Sequence, residues 1–245
     1  MVSVCIATYN GEKYICKQLD SILHQLNAND EVIISDDGSK DATLSLIAAY
    51  NDARIKVFHH KKEEPKKRTY LSSFMYATLN FEHAISKASG DYIFLCDQDD
   101  VWADNRVSTM TKALAGCDYV LCNLSLIDSD GIVIREQLYD ANPVSDKFLK
   151  NLCKMPFRGC TMAFRKTALK GILPLPTKCV CHDNWIGLCM SFQKLRFCYL
   201  SEPLHLYRTH ANNVSPVLEK SPNSLYFKLS YRFRFWWQIW RRFHK

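Results

Sequence analysis

The spacing of apolar residues along the amino-terminal part of the chain switches repeatedly between strand-like and helix-like periods, and the switches predict an order of elements. Val2 to Ala7 is a short apolar run ending in Tyr9-Asn10-Gly11, as expected of a fully buried strand entering a turn. Ile15, Leu19, Ile22, Leu23 and Leu26 then recur at helical spacing. Glu31 to Ser35 predicts a second strand closed by Asp36-Asp37-Gly38-Ser39, followed by a helix through Leu44 and Ile47 and a strand at Ile55 to Phe58. This βαβαβ order predicts a parallel sheet with helices on its faces and ligands at the carboxyl ends of its strands.

The charged run Lys61 to Arg68 reads as a solvated loop. Phe74, Ala77, Phe81, Ala84 and Ile85 mark a helix, and Gly90 precedes a strand, Tyr92 to Cys96, that runs into Asp97-Gln98-Asp99-Asp100. Beyond Trp102 the alternation loosens. A helix is expected near Val107 to Leu114, strands at Tyr119 to Asn123 and Ile132 to Ile134 joined by Asp128-Ser129-Asp130-Gly131, and another strand over Gly159 to Phe164. The second half thus reads as mixed α+β built on the same sheet.

Composition changes this picture in three ways. With 245 residues, 47% hydrophobic and 23% charged, the chain is a globular one with room for a sizeable core. Eleven cysteines without a C-x-x-C pair argue against a disulfide framework or a zinc ribbon, and with a start that lacks signal-peptide character they lead us to expect a cytoplasmic protein. The net charge of +7 is concentrated at one end. Lys228, Arg232, Arg234, Arg241, Arg242 and Lys245 lie between Leu225 and Lys245 with no acid among them, so the rest is nearly neutral.

Glycine spacing excludes several chemistries. The eight glycines are never closer than twelve positions, so no dinucleotide fingerprint, P-loop or G-x-S-x-G elbow exists. What remains is acidic. Asp36 and Asp37 follow one predicted strand and Asp97, Asp99 and Asp100 another, so both groups should meet at the sheet's ligand edge. Carboxylates gathered there repel unless a cation offsets them, and hard oxygen ligands suit Mg2+ or Mn2+ held with a diphosphate.

Val2-Ser3-Val4 through Thr8-Tyr9-Asn10, Ser35-Asp36-Asp37-Gly38-Ser39-Lys40-Asp41, and Gly90-Asp91-Tyr92 through Asp97-Gln98-Asp99-Asp100-Val101-Trp102 resemble the family 2 glycosyltransferases of GT-A fold. The last form is similar to their rhamnosyltransferase-like branch. The resemblance runs from residue 2 to about 215 and implies an α/β, Rossmann-like domain. Residues 1–102 would form its nucleotide-sugar half and 103–215 its acceptor half, with 216–245 as a separate basic aromatic helix. It implies inverting, metal-dependent transfer of a sugar from a nucleotide-diphosphate donor to a glycan or polyprenyl-linked glycan acceptor in bacterial surface polysaccharide synthesis.

Carried over by position, Ala7, Thr8 and Tyr9 would line the base with Tyr9 stacking on it, and Asp37 would accept from its imide N–H. Asp99 would ligate Mn2+ or Mg2+ directly, with Asp97 nearer the ribose or the metal's water shell. His182-Asp183-Asn184-Trp185, at the start of a predicted helix, matches the family's acidic pair, with Asp183 as the catalytic base and His182 where many members have Glu. Leu206-Tyr207-Arg208-Thr209-His210 resembles the closing Tyr-Arg-x-His segment, which implies that His210 completes the metal shell and Arg208 contacts the diphosphate. The chain departs from the pattern between His60 and Asn80, where it has no glycine, so no role is carried over to Arg68 or Asn80. The alternatives are a sugar-nucleotide pyrophosphorylase, which would want a glycine-rich loop near the start, and a non-catalytic nucleotide-sugar or glycan-binding subunit.

In the tail, Leu225, Leu229, Trp236, Ile239, Trp240 and Phe243 recur at helical spacing among basic residues, as in an amphipathic helix lying on anionic lipid. Peripheral contact with the inner face of the cell membrane through residues 225–245 is therefore expected, the alternative being a helix docked on its own domain. No nucleic-acid partner is expected, since no reading module accompanies the basic stretch.

Overall fold

The structure is a computed structural model that describes residues 1–60, 70–176, 179, 181–211, 213 and 223–244. The expected loop Lys61 to Arg68 lies outside these. The amino-terminal half follows the expected order: β1 (Val2–Thr8), α1 (Ile15–Leu23), β2 (Glu31–Asp36), α2 (Thr43–Ala49), β3 (Ile55–His59), α3 (Tyr70–Lys87) and β4 (Tyr92–Asp97). The remainder comprises β5 (Val101–Trp102), α4 (Arg106–Leu114), β6 (Tyr119–Ile127), β7 (Val133–Arg135), α5 (Phe148–Lys154), β8 (Met162–Arg165), α6 (His182–Phe192), β9 (Phe197–Arg208) and α7 (Leu225–Phe243).

All nine strands join one sheet in the order β3-β2-β1-β4-β8-β6-β9-β5, with β7 added to β6. β1 to β4, β6 and β9 run the same way, while β5, β7 and β8 oppose them. Alternate residues of each central strand face opposite helical layers, as the two-residue period of a strand demands. Val4, Ile6, Ile34 and Phe94 pack with Ile15 and Leu19 of α1 and Met110 and Leu114 of α4. Cys5, Ile33, Ile93 and Leu95 pack with Phe81 of α3, Trp185 of α6, and Phe235 and Ile239 of α7. Each such large apolar side chain stabilises the fold by about 1.5–3 kcal/mol on burial. All eleven cysteines are free, and no helix among the described residues is long and apolar enough to cross a membrane.

Two features of the second half differ from the expectation. Gly159–Thr161 is a 3-10 turn, and the strand starts only at Met162, because the amide of Gly159 is turned towards the start of α6 instead of into the ladder. β9 is a twelve-residue strand whose register against β6 slips by three residues in all, between Cys122 and Leu124. Pro203 cannot donate to the ladder, and the Asn123 side chain fills the gap, donating to Ser201 O and Tyr139 O while accepting from the amide of Leu124.

Candidate active site

In register, Ala7 stands beside Ser35 on one side and Asp97 on the other, so the ends of β1, β2 and β4 form one edge. The loops after β1 and β2 are tied together there. The Asn10 amide donates to Ser39 Oγ at 2.9 Å, and Asn10 Oδ1 accepts from the amide of Lys40 at 2.9 Å. Of the tandem acids, Asp36 builds the turn: its Oδ2 accepts from the amides of Gly38 and Ser39, both at 2.9 Å, with Gly38 at φ +78°, a conformation suited to glycine. Asp37 is buried differently, its Oδ1 lying 2.6 Å from His60 Nδ1. The Thr8 hydroxyl reaches inward to Asp36 Oδ1 at 3.0 Å, so a ligand at this edge meets Thr8 through its position and not its hydroxyl.

Tyr9 is half-buried, and its main chain is bracketed by Gln98, whose Oε1 accepts from Tyr9 N at 2.9 Å and whose Nε2 donates to Tyr9 O at 3.2 Å. Gln98 thus locks the loop after β1 to the acidic segment after β4. Sequence reasoning assigned it no role, although its place between Asp97 and Asp99 in an otherwise acidic run was a signal that it faces another partner.

The acidic residues after β4 divide in two. Asp100 is buried: its Oδ2 lies 2.8 Å from His205 Nε2, and its Oδ1 accepts from the amide of Arg208 at 2.8 Å. Together with Cys160 these make the one cluster of three potential metal ligands within 4.8 Å of one another among the described residues. It is sealed in the core, and the positive charge of the buried Arg106 depresses the basicity of His205 beyond what burial does. Asp99 turns the other way, its Oδ2 2.8 Å from His210 Nε2, and both side chains remain accessible, at 18% and 12% exposure. His210 is stacked on Tyr14 at 5.2 Å.

Asp97, Asp99 and His210, the set expected to hold a metal, therefore share the edge, but only Asp99 and His210 touch. Burial first, then the charges of Asp100, Asp99 and Asp183, push the Asp97 carboxyl well above the ordinary carboxylate range. An excess of oxygen ligands with one imidazole suits Mn2+ or Mg2+. The accessible Asp99–His210 pair fits such an ion better than the sealed cluster beside Arg106.

Arg208 departs from the expectation of a diphosphate contact. It is buried, with its guanidinium 4.7 Å over the Tyr14 ring, its Nε donating to Asp99 O at 2.8 Å and its Nη1 to Asp128 O and Ser129 O, each at 3.1 Å. It holds the acidic segment in place.

Asp183 lies in the first turn of α6, and its bond to Gly159, in the turn packed against β4, brings it near the acids after β4 from the far half of the chain, where its charge is among those that raise Asp97. Its Oδ2 accepts from the amide of Gly159 at 3.2 Å and its Oδ1 from that of Asn184 at 2.6 Å. It is not the cap of the helix, a position held by Cys181. A Cβ at Gly159 would lie 2.9 Å from His182 Nε2, so only glycine allows the turn before β8 to approach this closely. His182 stacks on Phe81 of α3 at 4.1 Å, and its amide donates to Thr78 Oγ1 at 3.2 Å, fixing the start of α6 against α3. Gly159 was missed because a glycine before apolar residues looks like an ordinary strand start.

The sequence model of the family described as "Glycosyl transferase family 2" matches residues 3–194. The chain belongs to this family. It is 26% identical over 235 residues to TuaG of Bacillus subtilis, a protein named for teichuronic acid biosynthesis, covering 93% of this chain and 86% of that one. It is also 32% identical over 133 residues to an uncharacterized glycosyltransferase of Rickettsia bellii, covering 53% of this chain but only 18% of the relative. It is 26% identical over 135 residues to the Escherichia coli UDP-Glc:alpha-D-GlcNAc-diphosphoundecaprenol beta-1,3-glucosyltransferase WfgD, covering 54% of this chain and 49% of that protein. Among solved structures, TarS of S. aureus in complex with UDP-GlcNAc superposes with a TM-score of 0.70 at 19% identity, covering 96% of this chain and 66% of that one. The mannosyltransferase PcManGT of Pyrobaculum calidifontis with GDP-Man and Mn2+ gives 0.62 at 18%, covering 87% and 58%. Both share the GT-A fold with this family 2 chain.

Proposed function

We propose that the protein transfers a sugar, with inversion, from a nucleotide-diphosphate donor to a hydroxyl of a glycan or lipid-linked glycan in bacterial surface polysaccharide synthesis. The observation that carries this reading is the convergence of Asp183, at the start of α6, with the acids after β4, at the edge where the parallel strands end. Family membership supports it, as does the activity that WfgD is named for, from UDP-Glc to a diphosphoundecaprenol-linked GlcNAc.

On this reading Tyr9 and Asp37 receive the nucleotide base and Ala7 and Thr8 shape its floor. Asp99 and His210 hold a divalent cation, with Asp97 directed at the ribose or the cation's water shell. That cation, when bound, offsets the charge developing on the departing diphosphate. Asp183 accepts the proton of the acceptor hydroxyl as its oxygen bonds to the anomeric carbon. The anomeric C–O bond breaks at the same centre, and its electron pair leaves on the diphosphate. A single displacement inverts the configuration. The amides of Gly159 and Asn184, one on each oxygen, orient the Asp183 carboxylate for this task.

The test is a panel of UDP- and GDP-sugars assayed for release of free nucleotide diphosphate in the presence of bacterial membrane glycolipids. Release with Mn2+ that stops on chelation is expected for one donor. Asp183→Asn should bind that donor normally while transfer falls by at least about 100-fold. Formation of nucleoside triphosphate on adding pyrophosphate would indicate a pyrophosphorylase, and binding without release a non-catalytic subunit.

A further inference from the structure

We propose that the outer face of α7 seats the protein on an anionic lipid bilayer surface. The helix starts at a serine cap, Ser224 Oγ accepting from the amide of Phe227 at 3.2 Å, and its inner face is fully accounted for. Phe235 and Ile239 are in the core, Phe235 meets Trp185 of α6 edge-on at 5.8 Å, and Arg242 lies 5.1 Å over the same Trp185 ring. Arg232 Nε donates to Cys153 O of α5 at 2.9 Å. The docked face is therefore not the stripe expected from sequence: Ile239, Trp236 and Phe243 pack inward, whereas Leu225, Leu229 and Trp240 do not.

Among the described residues, nothing covers the opposite face. Tyr226, Leu229, Phe233, Trp237 and Trp240 follow one another at steps of three and four residues and are 83%, 59%, 63%, 43% and 40% exposed. The rings of Trp237 and Trp240 stack at 5.5 Å, which holds them as one apolar surface. An exposed apolar patch of this extent marks an interaction site. Its charge selects the partner. Arg234 and Arg241, seven residues apart and both exposed, flank the stripe, and α5, packed alongside, exposes Lys150, Lys154 and Leu149. Residues 223–245 contain no acid. A second copy docked through its own α7 would cover the aromatic rings only by bringing like charges together with nothing on either helix to offset them. An anionic bilayer takes the tryptophans at its headgroup level and pairs with the arginines.

The inner face of α7 rests on α6, the helix that carries Asp183, and Tyr231 is within electrostatic reach of that carboxylate. A lipid-linked acceptor would then arrive from the side that faces the membrane, a consequence that rests on the glycosyl-transfer reading.

The test is sedimentation of the full chain with vesicles of phosphatidylcholine alone or mixed with phosphatidylglycerol, which needs neither donor nor acceptor and so fails separately from the assignment of activity. Binding is expected to the phosphatidylglycerol vesicles and should weaken with salt. The double variant Phe233→Glu, Trp237→Glu should lower partitioning by at least about tenfold, and Arg234→Glu, Arg241→Glu by a similar factor that shrinks at high salt. The thermal midpoint of each variant reports folding, and Tyr226→Glu, at the most exposed position, serves as a replacement where a double variant unfolds. Equal partitioning of wild type and variants to both vesicles would overturn the proposal. So would an absence of vesicle binding together with a dimer that Trp237→Glu dissolves.

Discussion

The two ends of the parallel strands carry buried acids in opposite electrostatic states. At the amino-terminal ends, Asp30 accepts from the amides of Val2 at 2.7 Å and Asn27 at 2.8 Å, and Glu31 accepts from Ser3 Oγ at 2.6 Å, Lys56 Nζ at 2.7 Å and Ser89 N at 2.7 Å. Burial alone would push Glu31 up, but the bonds from Lys56, Ser3 and Ser89 outweigh it and bring its carboxyl down to about 2. At the carboxyl ends, burial and the charges of Asp100, Asp99 and Asp183 push Asp97 the other way. Acids that serve the fold are supplied with donors by the fold. On the proposed function, Asp97 is left short of positive charge until a ligand brings it.

This contrast can be broken from either end. The largest effect is expected from Asp99→Ala, which removes the accessible carboxylate beside His210. Metal-dependent donor affinity, measured by calorimetry with Mn2+ and with chelator, should fall by at least about 100-fold, with the metal-independent part unchanged. At the other end, Glu31→Gln should cost about 1–3 kcal/mol in urea unfolding at neutral pH, since hydrogen bonds to a buried charge are lost or weakened. Because the folded-state value of Glu31 is depressed, its contribution is fully present above the ordinary value of 4.5 and is lost as pH falls toward about 2. The variant's stability should therefore decline less steeply on the acid side. The smallest effect is Asp97→Asn. With like-charge repulsion relieved, the metal-free protein should melt higher, and a gain of about 1 kcal/mol would appear as about 2–4 °C at this chain length.

The same division describes what the sequence made legible. The first half could be read because its strands are continuous apolar runs ending in acidic or Asn-Gly turns, and local spacing is enough to order them. Within the site, Asp37, Asp97, Asp99, Asp183 and His210 could be picked out by type and motif, and the structure brings the last four to one edge, with Asp37 in the turn just after β2. The orientation of Arg208 was not legible, because a motif shows that an arginine is present but not which way it faces. Here three main-chain carbonyls take its guanidinium. β5 was missed because two residues show no period and α5 because only Leu152 of its apolar residues is buried, and the β9 bulge arises from the conjunction of Pro203 with Asn123, distant in sequence. On α7 the sequence contains two apolar faces, and no single periodicity separates the one that docks, through Phe235 and Ile239, from the one that stays open.

The account rests on Asp99 and its neighbours gathering a cation together with a nucleotide diphosphate. Electron paramagnetic resonance of free Mn2+ tests this most directly, in the presence of UDP or GDP and after subtracting what the nucleotide takes up alone. The wild-type protein and Asp183→Asn should both remove Mn2+ from solution stoichiometrically, and Asp99→Ala should not. Uptake by Asp99→Ala equal to that of the wild type would contradict the account.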